Sequence, residues 1–169
     1  MIYKELPTDE MMSQGDIIDN CPMFQLREDS NPIDLSAPVL MSWHARAIIL
    51  TQACDIAQEK TKRILVAPLQ KTEEIVESGD LKASTIRDHV RRGLVHGWYF
   101  LPTAPSPIEL PESLIDLRTV QTMPRGVLEH LIVQGNRICR LATPYREHLA
   151  QHFAVTYSRI GLPEPLESE

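Results

Sequence analysis

The period of apolar and polar positions changes several times along the chain, and each change marks an element. Residues 45–50 and 64–69 are short, β-branched apolar runs joined by a charged link of hairpin length, which predicts two paired central strands. Alternation places His44, Arg46, Ile48 and Leu50 on one face of the first strand and Ala45, Ala47, Ile49 and Thr51 on the other. A strand apolar on both faces is buried on both sides. Ahead of this pair, residues 15–18 predict a first strand, and residues 1–14 have no clear period. Residues 20–38, with Pro22, Pro32 and Pro38, predict a long surface loop or a weak hairpin, and loops of that length are often functional.

After Lys71 the pattern becomes helical. Thr72 is placed to cap an acidic helix ending at Gly79, and Ser84 to cap a second ending at Gly93. Residues 98–101 return to strand, and the proline-spaced stretch after them is an extended connector. Residues 113–121 alternate and predict a half-exposed strand, followed by a short helix after Pro124 and a last strand over residues 137–141. Thr143-Pro144 opens a C-terminal helix over residues 143–161, whose stripe Tyr145, Leu149, Phe153, Tyr157 and Ile160 must pack on the body or on a partner. An acidic tail, residues 162–169, closes the chain.

Composition narrows the class. A chain of 169 residues, 43% hydrophobic and 24% charged, predicts one soluble globular domain over residues 1–169. No apolar run approaches the roughly 20 residues that cross a bilayer, and no leader-like start precedes the first strand, so a cytoplasmic protein is expected. Cys21, Cys54 and Cys139 are an odd set without CxxC spacing, which points away from a disulfide framework or a four-sulfur metal site. The net charge of −6 disfavours indiscriminate binding to duplex DNA. No metal or cofactor is expected.

Candidate chemistry concentrates in two places. Thr51-Gln52-Ala53-Cys54-Asp55 is the densest polar cluster beside buried backbone. Cys54 with His44 is either a thiolate pair or, with Asp55, a packed cysteine and a turn; an extended strand would hold the pair roughly 30 Å apart. Arg46 on a buried strand needs an anion, either Asp16, Asp55 or Asp116, or a phosphate. Farther on, Arg87, His89, Arg91 and Arg92 precede His96, Trp98 and Tyr99, combining charge with stacking surfaces as single-stranded RNA recognition does; the alternative is a solvated helix leading into a core strand. His148 and His152 stand one helical turn apart without the glutamate of a zinc-protease helix, which points to packing.

The series Gly15-Asp16-Ile17, Arg46 entering an apolar strand, Val66-Ala67-Pro68-Leu69, and Ser113 to Leu117 running into Arg118-Thr119-Val120 resembles the PemK/MazF family. The resemblance implies a mostly β (α+β) fold, an SH3-like β-barrel over roughly residues 13–141; the helical insertion at 71–93 and the C-terminal helix depart from the family's pattern. It further implies a dimeric, metal-independent endoribonuclease of toxin–antitoxin type, with Arg46 at the scissile phosphate. Ala47 stands where the family has proline, and Gln70 where it has its catalytic threonine; an amide relays no proton. A site lined by Arg46, His44, Thr51, Cys54 and Asp55 is therefore expected, with Arg87, Arg91, Arg92, Trp98 and Tyr99 guiding RNA. The chain also resembles bacterial and phage-borne sequences sharing the Thr-Gln-x-Cys-Asp run, which names no activity. Against the enzyme stands a non-catalytic interaction or regulatory module in a phage or defence context, holding a protein partner through the C-terminal helix.

Overall fold

The computed structural model describes residues 1–27, 36 and 39–158. Among them, eight strands form one antiparallel sheet: β1 (Tyr3–Lys4), β2 (Asp16–Leu26), β3 (Leu40–Ile49), β4 (Arg63–Lys71), β5 (Trp98–Leu101), β6 (Ser113–Asp116), β7 (Gln121–Pro124) and β8 (Arg137–Leu141). Their order is β1-β8-β2-β3-β4-β6-β5, with β7 added to β4. Helices α1 (Ala53–Ala57), α2 (Thr72–Ser78), α3 (Ala83–Asp88), α4 (Arg125–Val133) and α5 (Tyr145–Tyr157) complete a mixed α+β architecture, with a 3-10 turn over Val90–Arg92.

The two central runs pair as their composition demands, Ile48 opposite Ala67 and Ile49 opposite Val66. Alternation then sorts side chains into two cores. Ile17, Ile48, Ala67, Leu101 and Ile115 bury on one face; Ile18, Ala47, Ile49, Ile64 and Val66 bury on the other, under Leu128, Leu131 and Ile132 of α4. A third cluster seats Ile75 and Ile86 of α2 and α3 against Trp98 and Leu114.

The ring of an SH3-like barrel is not closed by backbone pairing. The terminal strands of the order are β1 and β5, and among the described residues no ladder joins them. Side chains fasten the edges instead. The Tyr3 hydroxyl donates to the Pro102 carbonyl just beyond β5. On the far side of the sheet, Phe24 N–H donates to Gln121 Oε1 at 3.1 Å, and Gln121 Nε2 donates back to the Phe24 carbonyl at 2.6 Å. One amide of β7 thus stands in for a paired strand on β2. Helix α5 lies along β5: the Trp98 carbonyl accepts from His152 Nε2 at 3.0 Å, and Tyr157 donates to the Leu117 carbonyl.

Several sequence expectations change. Of the two readings of residues 20–38, the hairpin holds over 20–26, where β2 continues to a Leu26–Leu40 pair with β3. The single strand expected over 113–121 is two strands around a turn, and all four residues of β6 are buried. Ser113 and Asp116 can sit inside because Ser113 donates to the Pro111 carbonyl and Asp116 accepts from Arg118. Thr72 and Ser84 lie within their helices; Lys71 and Lys82 are the N-cap residues, with no side-chain cap. Gly79 ends α2 in the left-handed conformation, whereas α3 stops earlier than expected, at Asp88, and Gly93 ends the 3-10 turn that follows it. Pro144 is the N-cap of α5 rather than its first helical residue. Tyr3 and Lys4, read as lead-in, pair with Leu141 and Arg140. Of the expected 20–38 loop or hairpin, residues 28–35, 37 and 38 lie outside the described residues, as do Ile160 and the acidic tail. Among those described, no helix is long and apolar enough to cross a membrane.

Candidate functional site

The site forms where the two central strands part. Arg46 opposite Leu69 is the final rung between β3 and β4. Beyond it β3 pairs only with β2, Ala45 with Cys21 and His44 with Pro22, while β4 continues beside β6, Gln70 with Leu114 and Lys71 with Ser113. Two openings flank this parting. One, of about 390 Å³, reaches Asp19, His44, Arg46, Gln70, Lys71 and Glu74. The other, of about 440 Å³, reaches Phe24, Gln25, Thr119 and Gln121, and the two share Trp43, Ala45, Leu69 and Gln70 as walls.

Arg46 stands at the apex with its side chain 22% exposed. Its NH2 donates to Asp19 Oδ2 at 2.9 Å and its NH1 to the Glu109 carbonyl at 3.1 Å; Nε is buried with no partner. None of the carboxylates expected from the sequence is the partner seen. Asp16 is buried between Arg137 and Arg140, Asp116 accepts from Arg118, and Asp55 faces Lys60 at 4.0 Å. Asp19 reaches Arg46 because the β2 ladder shifts register between Ile18 and Cys21, where Asn20 takes a φ of 57°. Burial alone would raise the Asp19 carboxyl, but the hydrogen bond and charge of Arg46, with the Asn20 N–H, hold it below its ordinary value. Lys71 is answered in the same way by Glu74 at 3.0 Å, so the cations of this opening carry local counter-charges.

The expected lining residues fall into two groups. His44 and Arg46 share the cleft with Gln70, the position that corresponds to the family's threonine. Thr51, Cys54 and Asp55 stand at the other end of β3, about 16 Å along the strand from Arg46. There Thr51 Oγ1 accepts from Leu65 N–H at 2.7 Å, fixing the end of the β3–β4 ladder. Cys54 is exposed on α1, with Asp55 Oδ1 at 3.8 Å. Burial pushes the other two thiols up, Cys21 to about 11 and Cys139 to about 12.

The expected RNA surface is neutralised and turned inward. Arg87 donates twice to Asp88, at 2.9 and 3.0 Å, and Arg91 pairs with Glu112 while lying 4.7 Å over the Phe100 ring. Arg92 is exposed. Trp98 is only 3% exposed, with the Arg118 guanidinium 4.2 Å above its ring, and Tyr99 is buried in the opposite core with its hydroxyl 2.9 Å from His148 Nδ1. The strand's alternation sends Trp98 and Tyr99 into two different cores, although both still border a cavity of about 260 Å³ with Arg91 and His148. Along α5, Leu149 and His152 are buried, whereas Tyr145 and Tyr157 remain exposed.

Three cleft residues escaped the sequence reading. Asp19 gave a weak signal, because Asp-Asn is a pair that tolerates the positive φ of a bulge. Gln70 was read only as a missing hydroxyl. Trp43 was read as lead-in to a strand, yet it is 38% exposed between the two openings.

No protein-family model matches the chain, and no curated protein matches it. Among solved structures, it is similar to an endoribonuclease in complex with its cognate antitoxin from Mycobacterial species. That likeness spans 90% of this chain and 100% of the other, at 10% identity and a TM-score of 0.43, and at that level no activity transfers from one to the other.

Proposed function

We propose that this protein is directed at single-stranded RNA, and that its cleft holds a phosphodiester at Arg46 for metal-independent cleavage. The observation that carries the reading is the pairing of a guanidinium and an imidazole, from Arg46 and His44, on one opening that Gln70 and Trp43 also border. His44 and Arg46 lie two residues apart on β3 and so on one face. A neutral imidazole can accept the ribose 2′-hydroxyl proton, the role that Gln70 cannot fill. The 2′-oxygen then bonds to phosphorus as the bond to the 5′-oxygen breaks, and that oxygen takes a proton from the imidazolium. Arg46 donates to the non-bridging oxygens, where negative charge builds, while Asp19 holds the guanidinium in place. The products are a 2′,3′-cyclic phosphate and a 5′-hydroxyl.

The test incubates the purified chain, with and without chelator, with mixed single-stranded RNA. Chelator-resistant cleavage to cyclic-phosphate ends, lost in folded Arg46→Ala and His44→Ala variants, is the expected result. Intact RNA that is not retained by the wild type overturns the reading. A second reading, a protein-interaction module, is favoured by one observation: the β2–β3 hairpin exposes Phe24, Leu26, Leu40, Met41 and Trp43.

A further inference from the structure

We infer that the cavity of about 260 Å³ between β5, α5 and the 3-10 turn is a site for a small N-acylated amino acid with a large apolar side chain and a free carboxylate. Its place on the strand singles it out. Trp98, Tyr99, Phe100, Leu101 and Pro102 all border it, and five successive residues whose side chains alternate between two faces share one cavity only along the strand's edge. That edge is the free one, because β5 ends the strand order and pairs with β6 alone. The ladder fixes where its backbone groups point. The Gly97 carbonyl accepts from Leu117 N–H at 2.8 Å toward β6, so residues 99 and 101 also face β6, whereas 98, 100 and 102 face away from it. Two of those three carbonyls are taken, Trp98 by His152 and Pro102 by the Tyr3 hydroxyl. Between them Phe100 presents an N–H and a C=O, and among the described residues neither has a partner.

One residue of open backbone is complementary to one residue of ligand. An acylated amino acid supplies it: its amide N–H donates to the Phe100 carbonyl, and a carboxylate oxygen accepts from the Phe100 N–H, the exchange made by a hydrogen-bonded antiparallel pair. A longer chain gains no further rung, since Pro102 has no N–H and its carbonyl, like that of Trp98, is already occupied. Facing residues of an antiparallel pair lie on the same side of the sheet, so an L side chain falls beside the Phe100 ring, against Val90 and Gly93. The charge agrees. Arg91 and His148 border the cavity and, among the described residues, no carboxylate does. Arg91 gives one nitrogen to Glu112, while its NH1 and Nε make no hydrogen bond among the described residues. A free ammonium would meet these groups without an anion, which is why the ligand's amine is acylated.

The test is an NMR titration of the full chain with N-acetyl-L-phenylalanine, following the Phe100 amide. Saturable binding that moves the Phe100 amide proton downfield and slows its exchange is the expected result. Three relatives of the probe should each bind about tenfold or more weakly: N-acetyl-L-phenylalaninamide, which lacks the charge, N-acetyl-D-phenylalanine, whose side chain falls on the other face, and L-phenylalanine, which carries the ammonium. Arg91→Gln, whose fold the same spectrum checks, should erase the preference for acid over amide. Arg46→Ala should titrate as the wild type does, since this site is separate from the parting of β3 and β4. Absence of binding, binding that leaves the Phe100 amide unmoved, or equal affinity for the two enantiomers overturns the inference. Equal affinity of acid and amide in the wild type does so as well. A hexapeptide ending in phenylalanine that binds as tightly as the acetylated amino acid overturns the assignment to a small molecule.

Discussion

Arg46 and Leu69 face each other on the last rung that β3 and β4 share, and the guanidinium is therefore held at the point where the sheet divides. Its ion pair with Asp19 couples charge to shape there. Asp19→Asn removes the competing carboxylate and keeps the side chain's size. Under the function proposed above, RNA affinity is expected to rise by about three- to tenfold, since the guanidinium no longer shares its charge. Thermal unfolding should shift little, because Asp19 is 44% exposed and such pairs contribute about 1 kcal/mol or less. Filter binding and a melting curve on the same sample check both.

His152 predicts a pH dependence of α5 docking. Burial first, then the charges of His96 and His148, push its imidazole below the ordinary value. His96 stacks on it at 6.0 Å, Tyr99 lies edge-on at 5.6 Å, and Tyr99 in turn bonds His148. The folded state thus binds the proton more weakly than the unfolded chain. Stability is full above the ordinary histidine range, falls as pH drops through that range, and levels off below the folded-state value. Hydrogen exchange at Trp98 and Gly97 should accelerate on acidification, and His152→Gln should flatten the response.

Arg118 serves the interior from the surface. Its guanidinium lies on Trp98, and it donates to a carboxylate on Asp116 that is itself buried. Arg118→Ala leaves Asp116 with only the residue 118 backbone N–H, and a loss of about 2–3 kcal/mol is expected in urea unfolding. Arg118→Lys should recover part of it, since an ammonium restores charge without the paired donors.

Gln121 is predicted to govern the hairpin. Gln121→Ala removes both bonds to Phe24, and the expected cost is about 1 kcal/mol because the site is exposed. The diagnostic readout is local: amide exchange at Phe24 should quicken while that of Ile48, deep in the ladder, does not.

The sequence exposed the frame more readily than the site. Paired apolar runs over 45–50 and 64–69 read as central strands, and Gly79 as a helix stop, since each signal comes from the residue's own covalent structure. Residues 113–121 misled because alternation assumes that polar side chains seek water, whereas Ser113 and Asp116 find partners inside. Arg46 was recognisable as a buried cation in want of an anion. Its partner was not, because a bulge around Asn20 delivers Asp19 from a strand whose register cannot be counted from the sequence. Trp98 misled for a similar reason. It follows a basic stretch yet lies in a strand beneath two helices, while the exposed indole of the cleft, Trp43, sits where a strand has lost its neighbour.

The fastenings at Tyr3 and Gln121 bear on how this fold moves. A cylinder sewn shut by a ladder opens only by tearing several backbone bonds together, whereas one latched by a hydroxyl and a single amide can gape at either latch while every strand stays intact. Local opening at either latch therefore costs one or two side-chain bonds rather than a ladder.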